Sequence, residues 1–439
     1  MSGSSEAKLP LGGFDATTVG IGCMVGGGIF VVLPPVANAA GFALAASLAL
    51  AALVAYCTAA STFLLSAGLR ASGHRNAGGT ARSAARILLG PYMGFFTGWT
   101  MVCALVTSAA VLALTFGLYV LPDQARPAAA GAALAATALN LFGLQRGTWV
   151  IRFVVAFVIG VLAFGVVVAL NEAGGPPPQP GVLEETESTT GLLRGAAFAF
   201  FAFAGYARLA AGGFRVRAPE RNLPRAIPAS IIVTLVLYLV VALSLVTWFQ
   251  GPQALAASVT PLSEPVAAVG LGIGTGAVAL AAGAASLCGV WVLVEGTART
   301  AAAMAAEGDL PRAVAHAGRK TRVPWPAAAA AGAVVVVLVL TASLSTLLGM
   351  ACFALLLHAA VTNLCGYALE HRRWYTPRAV NLAGLAGALI TALSLPPRDI
   401  LFMLIVLVFG LVVRLTFRRA GDPPPAGGPP PAGGRAAPP

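Results

Sequence analysis

Few side chains in this sequence could do chemistry away from water. Arg208, Glu295, Arg299 and His358 fall inside or at the ends of long apolar runs, and Asp15 stands at the start of the first one. A charge at that depth costs at least ~2.5 kcal/mol on insertion scales and marks function by default. For Arg208 the alternative is an arginine that snorkels to the surface, and for His358 a packing residue. There is no His/Glu spacing for zinc, no carboxylate pair within one run and no Ser–His arrangement. No Walker lysine follows a glycine-rich loop. Cys23, Cys57, Cys103, Cys288, Cys352 and Cys365 all lie in apolar runs without Cys-x-x-Cys spacing, which reads as helix packing rather than a disulfide or metal framework. Enzyme chemistry and ATP-driven transport are therefore unsupported, and no cofactor is expected.

What remains is recognition by backbone. Gly20-Ile21-Gly22-Cys23-Met24-Val25-Gly26-Gly27-Gly28-Ile29-Phe30 sits within an apolar run from Phe14 to Ala40. Each helical glycine costs roughly 1 kcal/mol relative to alanine. A break inside a bilayer is tolerated where the freed backbone lines a cavity or is buried in protein. Two readings follow from the triplet alone, a binding break or a small-residue packing face. A second such run reads Ala197-Phe198-Ala199-Phe200-Phe201-Ala202-Phe203-Ala204-Gly205-Tyr206-Ala207-Arg208-Leu209, with a central glycine followed by a charge. Ser286, Thr297, Thr107 and Ser108 are candidate hydroxyls for a substrate or cation, or else bond their own helix carbonyls.

These breaks must be held by helices in a membrane. The 439 residues are 58% hydrophobic and 10% charged, with a mean hydropathy of +0.86, against about 25% charged in soluble domains. Counting runs against the ~20 residues a crossing needs gives twelve spans. They lie near 14–40, 42–69, 90–121, 128–144, 150–170, 192–214, 227–249, 265–303, 325–345, 347–369, 379–395 and 400–417. With a cytoplasmic N-terminus, the inner segments hold 23 of the 27 Lys and Arg residues, and the outer ones only Arg126, Arg194 and Arg398. The net charge of +12 is thus a topology signal spread between runs, and nucleic acid is not an expected partner. No cleavable signal peptide is expected, since residues 1–13 are short and polar. The expected divisions are a cytoplasmic segment (1–13), a first five-helix half (14–170), an outer loop (171–191), a second half (192–369), two further helices (370–417) and a disordered cytoplasmic Pro/Gly/Ala tail (418–439).

The two interrupted spans are the first and the sixth, matching members of two five-span halves. Five is odd, so the halves are inverted, which points to a secondary transporter. Half-helix N-termini would offer N–H groups to a carboxylate, and freed C=O groups would accept from an amine. That pairing makes the packing-face reading of the glycine triplet secondary, and it predicts that Gly27→Leu abolishes binding while sparing the fold.

Several stretches resemble one family, the permeases of the amino acid–polyamine–organocation (APC) superfamily. Gly22 to Phe30 resembles its G-x-M-I-G-S/A-G-I-F signature, and Phe200 to Tyr206 its F-F-A-F-x-G-F/Y core of helix 6. Ala218 to Ile227 is similar to its N/D-P-x-R-x-I/L-P-R-A-I loop, and Gly90 to Trp99 to its G-P-x-x-G-F-x-x-G-W entry to helix 3. Arg299-Thr300, Met304-Ala305 and Gly308-Asp309-Leu310-Pro311 resemble the stretch after helix 8. The resemblance implies an all-α, twelve-helix membrane protein of LeuT-like fold, a five-plus-five inverted repeat with helices 1 and 6 interrupted and two extra C-terminal helices. It implies a plasma-membrane amino acid or amine permease with both termini cytoplasmic. The alternative is a non-transporting amino-acid sensor on the same fold.

Carried onto this sequence, the resemblance makes Val25, Gly26, Gly27, Gly28 and Ile29 the backbone that meets the substrate. Phe201, Ala202, Phe203, Ala204 and Gly205 would face them from helix 6, and Leu293 from helix 8. Arg208, Glu295 and Tyr206 become candidates for gating or coupling, with Arg208 and Glu295 paired beneath the site as an inner gate or protonation switch. The open alternative is an i,i+4 pair of Glu295 with Arg299. Ala207 stands where relatives often carry Glu, Phe214 and Arg215 where many carry acidic residues, and Arg152 is the one basic residue of the fifth span. Gly78-Gly79-Thr80-Ala81 lacks the usual aromatic before helix 3. These departures leave proton, sodium or no coupling open. The partners implied are a small amino acid or amine and membrane lipid.

Overall fold

The computed structural model describes residues 12–71, 79–143, 148–171, 188–211, 216–270, 272–318, 323–370 and 376–419, with side chains except those of 71, 148–151 and 417–419. Most of the acidic loop at 171–190, Phe214 and Arg215, and the tail beyond Arg419 lie outside these residues. The described chain is all-helical. In a bilayer no water is available to backbone N–H and C=O groups, so apolar runs of this length must satisfy them within helices.

The first apolar run forms α1 (Gly13–Met24) and α2 (Ile29–Ala40), separated by four non-helical residues. A tight turn with Gly41 at φ 55° leads into α3 (Leu44–Ala71). A short amphipathic helix, α4 (Thr80–Leu88), precedes α5 (Pro91–Val120). Next come α6 (Ala125–Leu141) and α7 (Thr148–Asn171). The second interrupted run forms α8 (Thr189–Phe203) and α9 (Tyr206–Ala210). Then follow α10 (Pro219–Trp248), two short helices α11 (Pro252–Ala257) and α12 (Glu264–Ala268), and α13 (Gly272–Ala306). The chain continues with α14 (Trp325–Thr341), α15 (Leu344–Ala368), α16 (Arg378–Leu393) and α17 (Pro397–Arg419).

Among the described residues, seven stretches are long and apolar enough to cross a membrane, one of them joining α2 and α3, and α8, α14 and α16 are shorter apolar helices. Both helix interruptions fall where the glycines predict them. The eighth run, expected from 265, begins its long helix only at Gly272, because α12 forms a separate turn before it. The seventh, expected from 227, starts at Pro219, since proline fits the first turn of a helix, where its missing N–H would have had no partner.

α13 packs along α5; α15 packs on α5, α3 and α16; α8 packs on α2 and α3; and α1 packs on α10. Lipid tails are as apolar as leucine, so close packing and interhelical hydrogen bonds hold such a bundle together. One chain of polar groups links three helices. Asn381 Nδ2 donates to Ser61 Oγ at 2.7 Å, Ser61 Oγ to Asn363 Oδ1 at 2.6 Å, and Asn363 Nδ2 to Thr58 Oγ1 at 2.9 Å.

Candidate binding site at the two helix breaks

The break between α1 and α2 leaves Met24 O without the N–H that a continuous helix would supply. Gly26 N–H reaches it at 2.9 Å, and the hydroxyl of Tyr238 on α10 donates to it at 2.8 Å. The same hydroxyl lies 3.3 Å from Ala202 O, freed by the break between α8 and α9. One phenol proton is thus shared between the opened carbonyls of both interruptions, and the Tyr238 ring packs edge-on against Phe203 at 5.3 Å. A similar repair is made one turn into α2. Pro34 has no N–H to give Phe30 O, and Tyr119 at the end of α5 donates to that oxygen at 3.2 Å. Neither tyrosine emerges from the sequence reading. The signal was there for Tyr238, a lone polar aromatic in the aliphatic run Leu235-Val236-Leu237-Tyr238-Leu239.

The opened N–H groups complement these carbonyls. Phe30, Val31 and Val32 bond back to Gly27 O and Gly28 O, while the N–H groups of Gly27, Gly28 and Ile29 find no acceptor among the described residues. They stand at the N-terminus of a twelve-residue helix, the positive end of its dipole.

The two interrupted runs cross in opposite directions. A Cβ on Gly20 would lie 2.7 Å from Leu209, one on Gly205 2.0 Å from Cys23 O, and one on Gly28 3.1 Å from Ala202 Cα. Position numbers rise along one run as they fall along the other, so the runs are antiparallel. The three glycines of the triplet differ in role. Gly26 faces open space, Gly28 the backbone of α8, and Gly27 the side chains of Leu112 at 2.7 Å and Ser286 at 3.0 Å. This corrects the expectation for Gly27: even a methyl group there collides with α5 and α13, so Gly27→Leu disturbs the fold along with the site.

The remaining candidates are placed as follows. Val25 and Ile29 are buried. Phe201 lies 3.5 Å from the Cβ position of Gly28, whereas Phe200 packs against Tyr206 at 6.1 Å and Phe203 against Tyr238. Ala202 is buried, Ala204 and Gly205 half-buried, and Tyr206 buried. The α13 residue that meets Gly27 is Ser286, and Leu293 stands two turns further along. Ser286 is fully buried, and its Oγ has no hydrogen-bond partner among the described residues. Glu295 pairs with Arg299 at 2.5 Å, the i,i+4 alternative, while Arg208 is exposed and makes no ion pair among the described residues. Thr107 and Thr297 bond their own helix carbonyls, Cys103 O and Leu293 O. Nδ1 of His358 donates to Thr97 O at 3.2 Å, a packing role. Asp15 accepts from Gly12 N–H at 3.3 Å at the start of α1. All six cysteines are free.

A second cluster closes the bundle end at which α1 begins. Arg82 and Arg86 on α4 reach Glu307 at 2.8 and 2.7 Å, and Arg86 reaches Asp309 at 2.8 Å. Asp309 also binds Arg414 of α17 at 3.0 Å, with both side chains fully buried. The Arg414 guanidinium donates to Pro91 O and lies 4.7 Å from the ring centres of Tyr92 and Phe95. The sequence reading used this stretch only for its resemblance and did not foresee the pairing.

Comparison with known proteins agrees with this architecture. The model of a family described as amino acid permease matches residues 11–422. An uncharacterized transporter of Mycobacterium tuberculosis is 37% identical over 419 residues, covering 94% of this chain and 93% of its own. A branched-chain amino acid permease of Bacillus subtilis is 26% identical over 351 residues, covering 74% and 73%. A methylthioribose transporter of the same organism is 27% identical over 337 residues, covering 71% and 70%.

Proposed function

This chain belongs to the amino acid permease family of the APC superfamily, and from that premise we propose that it is a secondary transporter moving an amino acid or related small amine across the cytoplasmic membrane by alternating access. In this reading the chain crosses the membrane twelve times as two inverted five-helix halves plus two helices, with both termini cytoplasmic. The observation that carries it is the meeting of two antiparallel, interrupted helices whose opened backbone groups face one another.

The unbonded N–H groups of Gly27, Gly28 and Ile29 supply the carboxylate end, at the positive end of α2. The shared carbonyls Met24 O and Ala202 O supply acceptors for an amino group. Gly26 opens onto the space between them, Phe201 borders it from α8, and Ser286 brings a free hydroxyl from α13. Relatives include a branched-chain amino acid permease, a methylthioribose transporter and cationic amino acid transporters, and walls of Ala202, Phe201 and Leu112 suit an uncharged side chain best. Glu295, held by Arg299, and the exposed Arg208 remain candidates for coupling.

Counterflow of labelled amino acids into proteoliposomes tests the reading. Saturable exchange of at least one neutral amino acid is expected. Substrate-induced thermal stabilisation without flux would instead support a sensor on the same fold, the reading favoured by Ala207 standing where relatives carry Glu. Neither binding nor flux across the amino acids and amines would overturn both.

A further inference from the structure

At the bundle end away from α4, a cavity of about 610 Å³ opens between the start of α6, the α14–α15 turn and the first turns of α17. Its lining includes Arg126, Arg398, Ser343, Thr346, Phe402 and Ile405. Outer segments, in the orientation proposed above, hold only three of the chain's basic residues, and two of them converge here. Arg126 is held by Leu340 O, which accepts from Nη1 at 2.6 Å, and the Arg398 guanidinium lies 5.3 Å from the centre of the Phe402 ring. Neither arginine makes an ion pair among the described residues. The nearest acids in sequence are Asp123, exposed three residues before Arg126, and Asp399, which is buried and turned onto Gly349, whose Cβ position lies 2.0 Å from its Oδ2. Arg194, the third basic residue, donates to Ser394 O and does not line the cavity.

Two arginines line one space, and an anion bound between them would offset their mutual repulsion. The cavity also has a direction. Its arginines and hydroxyls sit at the helix ends, whereas Phe402 and Ile405 lie one to two turns along α17, roughly 6–10 Å deeper at 1.5 Å per residue. α17 continues into exposed apolar positions at Leu401, Val408 and Phe409. A free phosphate has no use for that apolar wall.

We propose that this cavity is a binding site for one anionic phospholipid, its phosphate gripped by Arg126 and Arg398 with the Thr346 hydroxyl as a further donor, and its acyl chain laid along Phe402 and Ile405. Guanidinium groups bind phosphate through paired, charge-assisted hydrogen bonds, and an aromatic below a cation suits the headgroup boundary. The site is independent of the break between α1 and α2 and does not require that the chain transport anything.

Native mass spectrometry of the full-length protein in detergent tests this, with dioleoyl phosphatidylglycerol as probe. One phosphatidylglycerol is expected to be retained per chain. Arg126→Gln and Arg398→Gln should each weaken retention about tenfold, the loss expected for one charge-assisted contact. Arg126→Lys with Arg398→Lys keeps the charge and should retain most of it. Phe402→Ser with Ile405→Ser should weaken the lipid without loss of the folded protein's thermal midpoint. Equal retention by wild type and the double Gln variant, or retention of dioleoyl phosphatidylcholine as tight as phosphatidylglycerol, would overturn the proposal. Displacement of the lipid by equimolar inorganic phosphate would also overturn it, leaving a free-anion site.

Discussion

Tyr238 touches both helix breaks with a single oxygen. Replacing it with phenylalanine keeps the ring against Phe203 and removes only the shared proton, leaving Ala202 O without that donor and Met24 O with Gly26 N–H alone. A buried carbonyl left unpaired costs about 1–3 kcal/mol. Tyr238→Phe should therefore destabilise the protein by an amount in that range, read as a lower thermal midpoint in detergent, and weaken substrate-induced stabilisation; an unchanged melt would show the hydroxyl to be idle. The triplet offers a sharper contrast. Gly26→Ala enters open space and should leave the melt unchanged while reducing counterflow. Gly205→Ala would drive a methyl group into Cys23 O and should abolish folded protein, read as loss of the monodisperse peak in size-exclusion chromatography. The glycines and their spacing announced the breaks. Their partners were not legible, because Tyr238 is 214 residues from Met24 and nothing local marks the pairing.

At the scale of elements, α4 ties the bundle end together although it never crosses the membrane. Its two arginines are one turn apart and meet acids more than 200 residues away, while α17 adds Arg414 to the same carboxylate. Removing one partner of a buried ion pair typically costs about 3–5 kcal/mol because the other charge is stranded. Asp309→Ala should destabilise the protein by that order, measured by thermal melting in detergent. Asp309→Leu combined with Arg414→Leu should cost less than Asp309→Ala alone, since Arg86 keeps Glu307. Most long apolar helices were legible from hydropathy to within a few residues, but the starts of α10 and α13 were missed by about two turns. α4 was not, since nine amphipathic residues between two apolar runs make no span. Nor was the choice of Glu295 for Arg299 over Arg208: both pairings satisfy the charge arithmetic and both arginines are exposed, and what separates them is that Arg299, one turn along the same helix, reaches Glu295.

For the molecule as a whole, the distribution of Lys and Arg implies a definite orientation, with the α4 end in the cytoplasm and the start of α6 outside. A membrane-impermeant maleimide applied to intact cells should label D123C but not E370C, both exposed positions on the described chain. Labelling of E370C alone would reverse the topology. The six native cysteines are buried or half-buried and give little background. The antiparallel crossing of the two interrupted runs was foreseeable from their places as the first and sixth spans, an odd number of crossings apart. How near they come was not, since it depends on glycine positions acting as a pair across the bundle.

That nearness has a mechanical consequence. Where Gly205 meets Cys23, backbone lies on backbone, and no rotamer change can widen or narrow the gap. In the proposed alternating-access motion, a tilt of the two interrupted helices against each other would make this contact a fulcrum, with displacement smallest here and growing toward α2 on one side and α9 on the other. A bound molecule seated beside Gly26 would rest near the pivot and be held almost still while the ends of the lever travel.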